Sequence, residues 1–474
     1  MSERTVRRLV GIDLGIASQH TVRVLDGDGN LVKAARCVPA VASLTVLEQA
    51  ALAGTPAGTV LEVIFEPTGP AWFPIAVFFS ARGHRVFRVS SAKASDLRKF
   101  FRKHAKSNGI DADTLARLPL VDPAGLRQLE LAEAGAAALD RRVRACDRLT
   151  QAATAHKVRI KDLARQLMPM TPLTADLGQA DLAVLERYAD PRALVKTGEP
   201  RLTRLITKVS HGQQGAERAA QWLSAAVSAI ELYGDHPAVP YAELAAEVAT
   251  EVCLLKAIAA ELAAHARERE KAYLLTDTGQ LARSLPGFGQ IGAPALVAGM
   301  GRPGRFADGA HFKSYTGLAP RASETGETDR KGEPMSKAGP SLLRTTLIRA
   351  ADHARKVDPQ LARIYWIQMT ERGAGHLKAC CVTAAHLAER AWAVMHRGTP
   401  YVICDNDGNP VTPEQAKKII AEKWTVPEDV RKRRRSGKQK GKAPQQAPAG
   451  PGKRGDLPRP RSSRLPRLPV KRSP

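Results

Sequence analysis

The N-terminal run of short apolar segments constrains the fold more than any other stretch of this chain. Residues 8–14, around the motif LVGIDLG, and residues 20–26 and 31–37 alternate or run apolar, and GDGN separates the second from the third. Runs of that length with turn residues between them predict three short antiparallel strands. The period then changes. A helical run around Leu44–Ala53 leads to a strand over Thr59–Glu66, a helix over Trp72–Arg82 and a strand over Arg85–Val89. Helices follow after Ser91 and around Asp111–Leu118. A β-meander followed by βαβα units predicts a mixed α/β domain.

That order is the order of a ribonuclease-H-like domain, expected over 6–125. Beyond it, Leu139, Val143, Cys146, Ala153, Ile160, Leu163 and Leu167 step by threes and fours, as do Leu244, Val248, Val252, Leu255, Ile258 and Leu262. Two long amphipathic helices are expected within 126–281, pairing as a coiled coil within or between subunits. Pro169 and Pro172 end the first. A second, largely helical domain is expected over 282–400, a short linker over 401–430 and a disordered tail over 431–474. The fold class is therefore α/β plus all-α, with a basic tail.

Charge narrows the function. The chain of 474 residues carries a formal net charge of +25, and residues 431–474 hold 16 Lys and Arg against one acid, with eight prolines. Such a segment buries too little apolar surface to offset its ordering entropy. It reads as an arm that neutralises nucleic-acid phosphates, or as a solubilising tail. No stretch offers the roughly 20 consecutive apolar residues of a membrane helix. The N-terminus runs straight into a strand, so a cytoplasmic location is expected, nucleoid-associated when acting. Six scattered cysteines without a C-x-x-C pair encode neither a zinc ribbon nor a disulfide framework. Cys381 falls in helical register with Leu377, Ala384, Ala388, Ala391 and Met395 and is expected to pack in a core.

Candidate chemistry rests on acids and one serine. Asp13, in GIDLG, lies on a predicted buried strand, Glu66, in FEPTG, closes another, and Asp111 and Asp113 begin a helix in KSNGIDADTLARL. Carboxylates are rarely buried unless paired or coordinating a metal. They either converge on divalent ions or act structurally, Asp111 as a helix cap and Glu66 in an arginine pair. Ser336, in EPMSKAGPSLLRTTL, precedes a basic helix expected over Leu342–Val357, where Ser336 or Ser341 would cap it, or Ser336 would act as a nucleophile. In LPGFGQIGAPALVAGMG, Gly287, Gly289 and Gly292 allow close backbone approach to a phosphate in a helix-hairpin-helix manner, or simply turn the chain. Lys313, Arg321, Arg330, Lys331 and Lys337 fall near Ser336. Lys337 and Arg344 are candidates for stabilising a phosphorane.

The segments GIDLGIASQHTVRVLDGDG, FEPTGPAWFPIAVFFSARGHRVFRVSSAKASDLRKFF, AKSNGIDADTLARL, LPGFGQIGAPALVAGMGRPGRFADGAHFKSYTGLAPR and GEPMSKAGPSLLRTTLIRAA together resemble a transposase of the insertion-sequence 110 family over most of residues 6–400. The resemblance implies a RuvC-like domain that binds magnesium, or manganese, through four acids, and a coiled-coil linker. It implies a C-terminal transposase domain whose serine attacks DNA to form a phosphoserine intermediate. It also implies a homo-oligomer, dimer or tetramer, in which a structured bridge RNA selects double-stranded donor and target DNA. Asp13 matches the first acid, Glu66 the second, Asp111 the fourth and Ser336 the nucleophile. At the third acid position, two residues after Lys106, this chain has Asn108, whose amide oxygen can ligate a cation but brings no charge. Lys106 itself is a candidate nucleic-acid contact. Asn108 keeps open a non-catalytic DNA- and RNA-binding derivative. GIDLGIASQ also resembles the first phosphate loop of actin-like ATPases and sugar kinases, although a second Asp-x-Gly loop and a Gly-Gly adenosine motif are missing.

Overall fold

The computed structural model describes residues 6–101, 105, 107–173, 176–321, 324–325, 328–329 and 334–436. Lys106, Arg330, Lys331 and residues 437–474 of the expected tail lie outside them. The chain divides into two compact units, Met1–Thr276 and Asp277–Pro474.

The first unit begins with the expected sheet. Strands β1 (Arg8–Asp13), β2 (His20–Asp26) and β3 (Leu31–Cys37) form the meander. Helix α1 (Val41–Leu52), β4 (Leu61–Phe65), α2 (Trp72–Ala81), β5 (Arg85–Arg88), α3 (Ser91–Phe101) and α4 (Asn108–Val121) follow. The strand order is β3-β2-β1-β4-β5, with β2 antiparallel to β1 and β3, and β4 parallel to β1 and β5. Continuous apolar runs occupy the centre, because β1 and β4 are covered on both faces, whereas β3 is an exposed edge. Side-chain alternation divides the sheet into two faces. Val10, Ile12, Val22, Val24, Val63 and Phe65 pack with α1 and α2. On the other face Leu9 and Leu25 pack with Ala116, and Ile64 with Leu115 and Leu118, all three from α4.

The two long helices are α5 (Ala134–Leu167) and, after α6 (Gln179–Tyr188), α7 (Pro191–Thr197), α8 (Glu199–Val209) and α9 (Ala216–Tyr233), α10 (Tyr241–Thr276). Helices α5 and α10 pack along one another within one chain. Ile160, Ala164, Leu167, Val248, Val252 and Leu255 share a core with Trp222 and Ile206 of the intervening helices. An ion triad lies in this seam: buried Glu251 accepts from Arg159 at 2.8 Å and meets His156 Nδ1 at 2.6 Å.

The second unit is helical: α11 (Leu281–Ser284), α12 (Gly292–Met300), α13 (Gly309–Thr316), a two-stranded ribbon β6 (Glu324–Thr325) and β7 (Thr328–Asp329), then α14 (Ser341–Ala354), α15 (Pro359–Thr370) and α16 (His376–Arg397). The stretch expected as a linker, 401–430, is instead packed structure. It carries α17 (Pro413–Lys423), started by a capping box between Thr412 and Gln415, and α18 (Glu428–Ser436) runs into the first residues of the expected tail. Tyr401 donates to fully buried Asp358 at 2.6 Å, and Trp424 meets Trp366 edge to face at 5.5 Å. On α16 the buried stripe runs through Ala379, Cys380, Thr383, Ala384, Leu387, Ala388 and Ala391, while Leu377 is 67% exposed. Ala384, Ala388 and Ala391 lie on the expected stripe, but near the start of the helix Cys380 is the buried cysteine and Cys381 only half-buried.

Candidate active site

The sheet register places two of the acids side by side. Ile12 pairs with Phe65 across parallel strands, so Asp13 and Glu66 follow at the same ends of neighbouring strands. Alternation from Gly11 and Ile64 turns both toward the face covered by α4. Gly11 makes that cover possible: a Cβ there would lie 2.0 Å from the Ala112 carbonyl and 2.5 Å from the Ala116 nitrogen. Helix α4 thus sits directly on β1 and carries Asp111 in its first turn. The helix is capped by Ser107, whose hydroxyl accepts from the Ile110 N–H, so Asp111 is not the cap. Asp111 meets Arg98 of α3 at 3.4 Å, and among the described residues Glu66 makes no ion pair. Asp113 points elsewhere and pairs with Arg117 at 2.8 Å.

Asn108 is the first residue of α4 and lies exposed in a groove of about 660 Å³ with Ser107, Gly109, Thr21, Arg23, Ala34 and Arg36. Thr21 is the register partner of Asp13. The groove therefore opens one strand away from that acid and is basic. Arg23 and Arg36 were not singled out by sequence; the available signal was a charged residue within the apolar alternation of β2.

Asp13, Glu66 and Asp111 offer hard oxygen donors of the kind divalent cations take. Their carboxylates do not close to the 4.8 Å spacing of a three-ligand cluster, whereas Asp352, His376 and Cys380 do. That second group is poorly built for a metal. Cys380 Sγ lies 3.7 and 3.8 Å from the two ring nitrogens of His376, beside the ring instead of along either lone pair. Burial and the Asp352 carboxylate push its thiol up to about 11, and Arg355 neutralises Asp352 at 2.8 Å.

Ser336 does not start a helix. Helix α14 begins at Ser341 behind Pro340, with no side-chain cap. Ser336 lies instead on a loop clasped by backbone to the segment after α13. Its N–H donates to Ala319 O at 2.9 Å, Lys337 N–H to Gly317 O at 3.1 Å and Arg321 N–H to Pro334 O at 3.0 Å. Gly339 closes the clasp: a Cβ there would meet the Tyr315 carbonyl at 1.8 Å. Arg344 fastens it by donating to the carbonyls of Gly339 at 3.1 Å and Thr316 at 3.4 Å. Among the described residues the half-buried Ser336 hydroxyl accepts one long bond, of 3.5 Å, from the Ala338 N–H. Next to it Lys337 is exposed and has φ of 56°, a left-handed conformation costly for a residue with a Cβ.

The other candidate contacts divide. Lys313 is engaged by Glu389 of α16. Gly287, at φ 86°, lies against α14, where a Cβ would meet the Ala350 carbonyl at 2.2 Å, so its role is packing. Around Gly289 there is open space.

Residues 279–366 match the family described as "Transposase IS116/IS110/IS902 family", and residues 10–169 match one described as "Transposase", the DEDD type of IS110 elements. The "Insertion element IS110 uncharacterized 43.6 kDa protein" of Streptomyces coelicolor is 27% identical over 356 residues, covering 73% of this chain and 84% of that one. The "Insertion element IS116 uncharacterized 44.8 kDa protein" of Streptomyces clavuligerus is 23% identical over 410 residues, 83% of this chain and 96% of its own. A "Probable family 20 transposase" of Pseudomonas aeruginosa is 33% identical over 170 residues, 34% of this chain and 47% of that protein.

Proposed function

Because the chain belongs to the IS110/IS116/IS902 family of transposases, we propose that it is an RNA-guided recombinase that cuts and rejoins insertion-element DNA through Ser336. A transposase cleaves and transfers DNA. The finer reading is supported by one observation: Ser336 is withheld from helix capping and held on a strained loop clasped to residues 317–321, its hydroxyl taking one long bond among the described residues.

In this reading the Ser336 Oγ gives its proton to solvent as it bonds the phosphorus, and the deoxyribose oxygen of the broken strand departs, taking up a proton to become a hydroxyl. Attack by a deoxyribose hydroxyl reverses the step and frees the serine. Lys337 offsets charge on the phosphorane, and Arg344 positions the loop through carbonyls. The RuvC-like reading gives Asp13, Glu66 and Asp111 to a magnesium or manganese ion, with Asn108 at the rim. When bound, such an ion would supply Lewis-acid polarisation of a phosphoryl oxygen and stabilisation of a leaving one. The chain's part is to hold hard oxygen donors on one sheet face and to set Arg98 against Asp111 as a counter-charge. Arg23 and Arg36 line the path by which a phosphate backbone reaches that face. Gly289 and Lys106 are further contacts to nucleic acid, the basic tail binds it without sequence preference, and a bridge RNA and a homo-oligomer complete the assembly.

The second reading, a non-catalytic binder, is favoured by Asn108 alone, since an uncharged residue beside two arginines weakens a cation site. The test is to purify the protein with its accompanying RNA, add labelled element-junction DNA and magnesium, and run a denaturing gel. Wild type should give a slowly migrating protein–DNA adduct that is absent with Ser336→Ala. Adduct from neither protein, with DNA and RNA both bound, would favour the binder.

A further inference from the structure

At the strand ends of the first unit, on the sheet face opposite the acids, lies a cavity of about 610 Å³. The loops after β1 and β4 border it, with the start of α2 and Arg141 of α5. Ile16, Pro39, Pro70, Trp72 and Phe73 make its walls, and Ile16 and Phe73 are exposed apolar side chains. Trp72 and Phe73 meet edge to face at 5.6 Å, and the Arg88 guanidinium lies 5.2 Å from the Trp72 ring centre.

His20 also lines this cavity and is 1% exposed. The Gly15 N–H donates to its Nδ1 at 3.1 Å, so the neutral ring carries its proton on Nε2. Burial lowers the ring's pKa and keeps it neutral. That buried Nε2–H has no acceptor among the described residues. A buried donor left unsatisfied costs stability unless something else serves it.

We propose that this cavity receives one unpaired nucleobase of a bound DNA or RNA strand, stacked on Trp72, met edge to face by Phe73, and offering a ring nitrogen or carbonyl to His20 Nε2–H. Its volume suits a small planar ligand. Among the described residues its walls carry no carboxylate for a cation, and they are mostly apolar, which suits a base better than a phosphate. Aromatic faces with cations at the margin are how proteins hold unpaired bases next to their phosphates, and Arg88 and Arg141 supply those cations. The proposal rests on the nucleic-acid reading above and adds a site distinct from the acids and from Ser336.

The probes are DNA and RNA hairpins, each with a single bulged 2-aminopurine, mixed with the full-length protein; anisotropy reads binding and fluorescence reads stacking. At least one bulged hairpin should be quenched several-fold on binding, which also identifies the backbone, while a fully paired control should not. Trp72→Ala and His20→Phe should abolish the quenching, and His20→Gln, which keeps an N–H donor, should retain part of it. Unaltered melting temperatures would show that the variants remain folded. Binding without quenching, or quenching that survives Trp72→Ala, would overturn the pocket alone. Failure of both hairpins to bind would overturn the pocket together with the nucleic-acid reading.

Discussion

Gly11 has only hydrogen where α4 crosses β1, and the placement of Asp111 depends on it. Gly11→Ala would drive a methyl into the Ala112 carbonyl, so it should destabilise the protein by about 1–3 kcal/mol or more, the ordinary cost of overpacking. It should also lower magnesium-dependent activity further than the loss of fold explains; chemical denaturation and a cleavage assay read the two effects. Asn108→Asp makes the opposite prediction. A carboxylate in the groove with Arg23 and Arg36 should strengthen cation binding and raise cleavage, and an unchanged magnesium dependence in an active protein would show that this position does not limit catalysis. The acids were legible because GIDLG and FEPTG set charged residues at the ends of apolar runs. The clasp around Ser336 was not, because it joins 317–321 to 334–340 through backbone bonds that leave no side-chain pattern.

Periodic elements were the most legible part of the chain. The meander and βαβα units appear within a few residues of their expected limits, since buried central strands and covering helices impose periods of two and 3.6 on the sequence. The intervening helices α6–α9 and the packing of 401–430 are less legible: the first bear no motif, and in the second the helix over Pro413–Lys423 is short, with one buried residue, Ala416, and so little apolar periodicity. The seam of α5 and α10 offers a test by pH. A side-chain bond from Arg159, aided by His156, holds the Glu251 carboxyl below the usual carboxylate range. Its charge therefore stabilises the fold above that range, and the gain is lost as pH falls through the lowered folded value. Glu251→Gln should melt at a lower temperature than wild type at pH 7, and the gap should close in acid. A gap independent of pH would assign the effect to packing. Asp181 tests the same unit more severely, since it is buried and serves both Arg218 at 2.8 Å and the Trp222 indole N–H at 3.1 Å. Asp181→Ala should cost about 3–5 kcal/mol in denaturant unfolding, because it leaves the Arg218 charge unpaired.

Across the whole molecule, charge and chemistry are divided. Asp13 and Glu66 gather at the ends of the two neighbouring central strands, the serine loop belongs to the second unit, and much of the excess positive charge lies in residues 431–474. No helix among the described residues is long and apolar enough to cross a membrane. Removing residues 437–474 should reduce DNA affinity at low salt and flatten its dependence on salt concentration while leaving the strand-cleaving chemistry intact; an unchanged salt slope would make the tail a solubilising segment. The most direct test of the account is the identity of the residue joined to DNA. Adduct formed with junction DNA, RNA and magnesium would be digested with nuclease and protease and mapped by mass spectrometry. A nucleotide carried on the Ser336 peptide is the predicted result. A nucleotide on any other residue, or efficient cleavage by Ser336→Ala without an adduct, would contradict the serine mechanism.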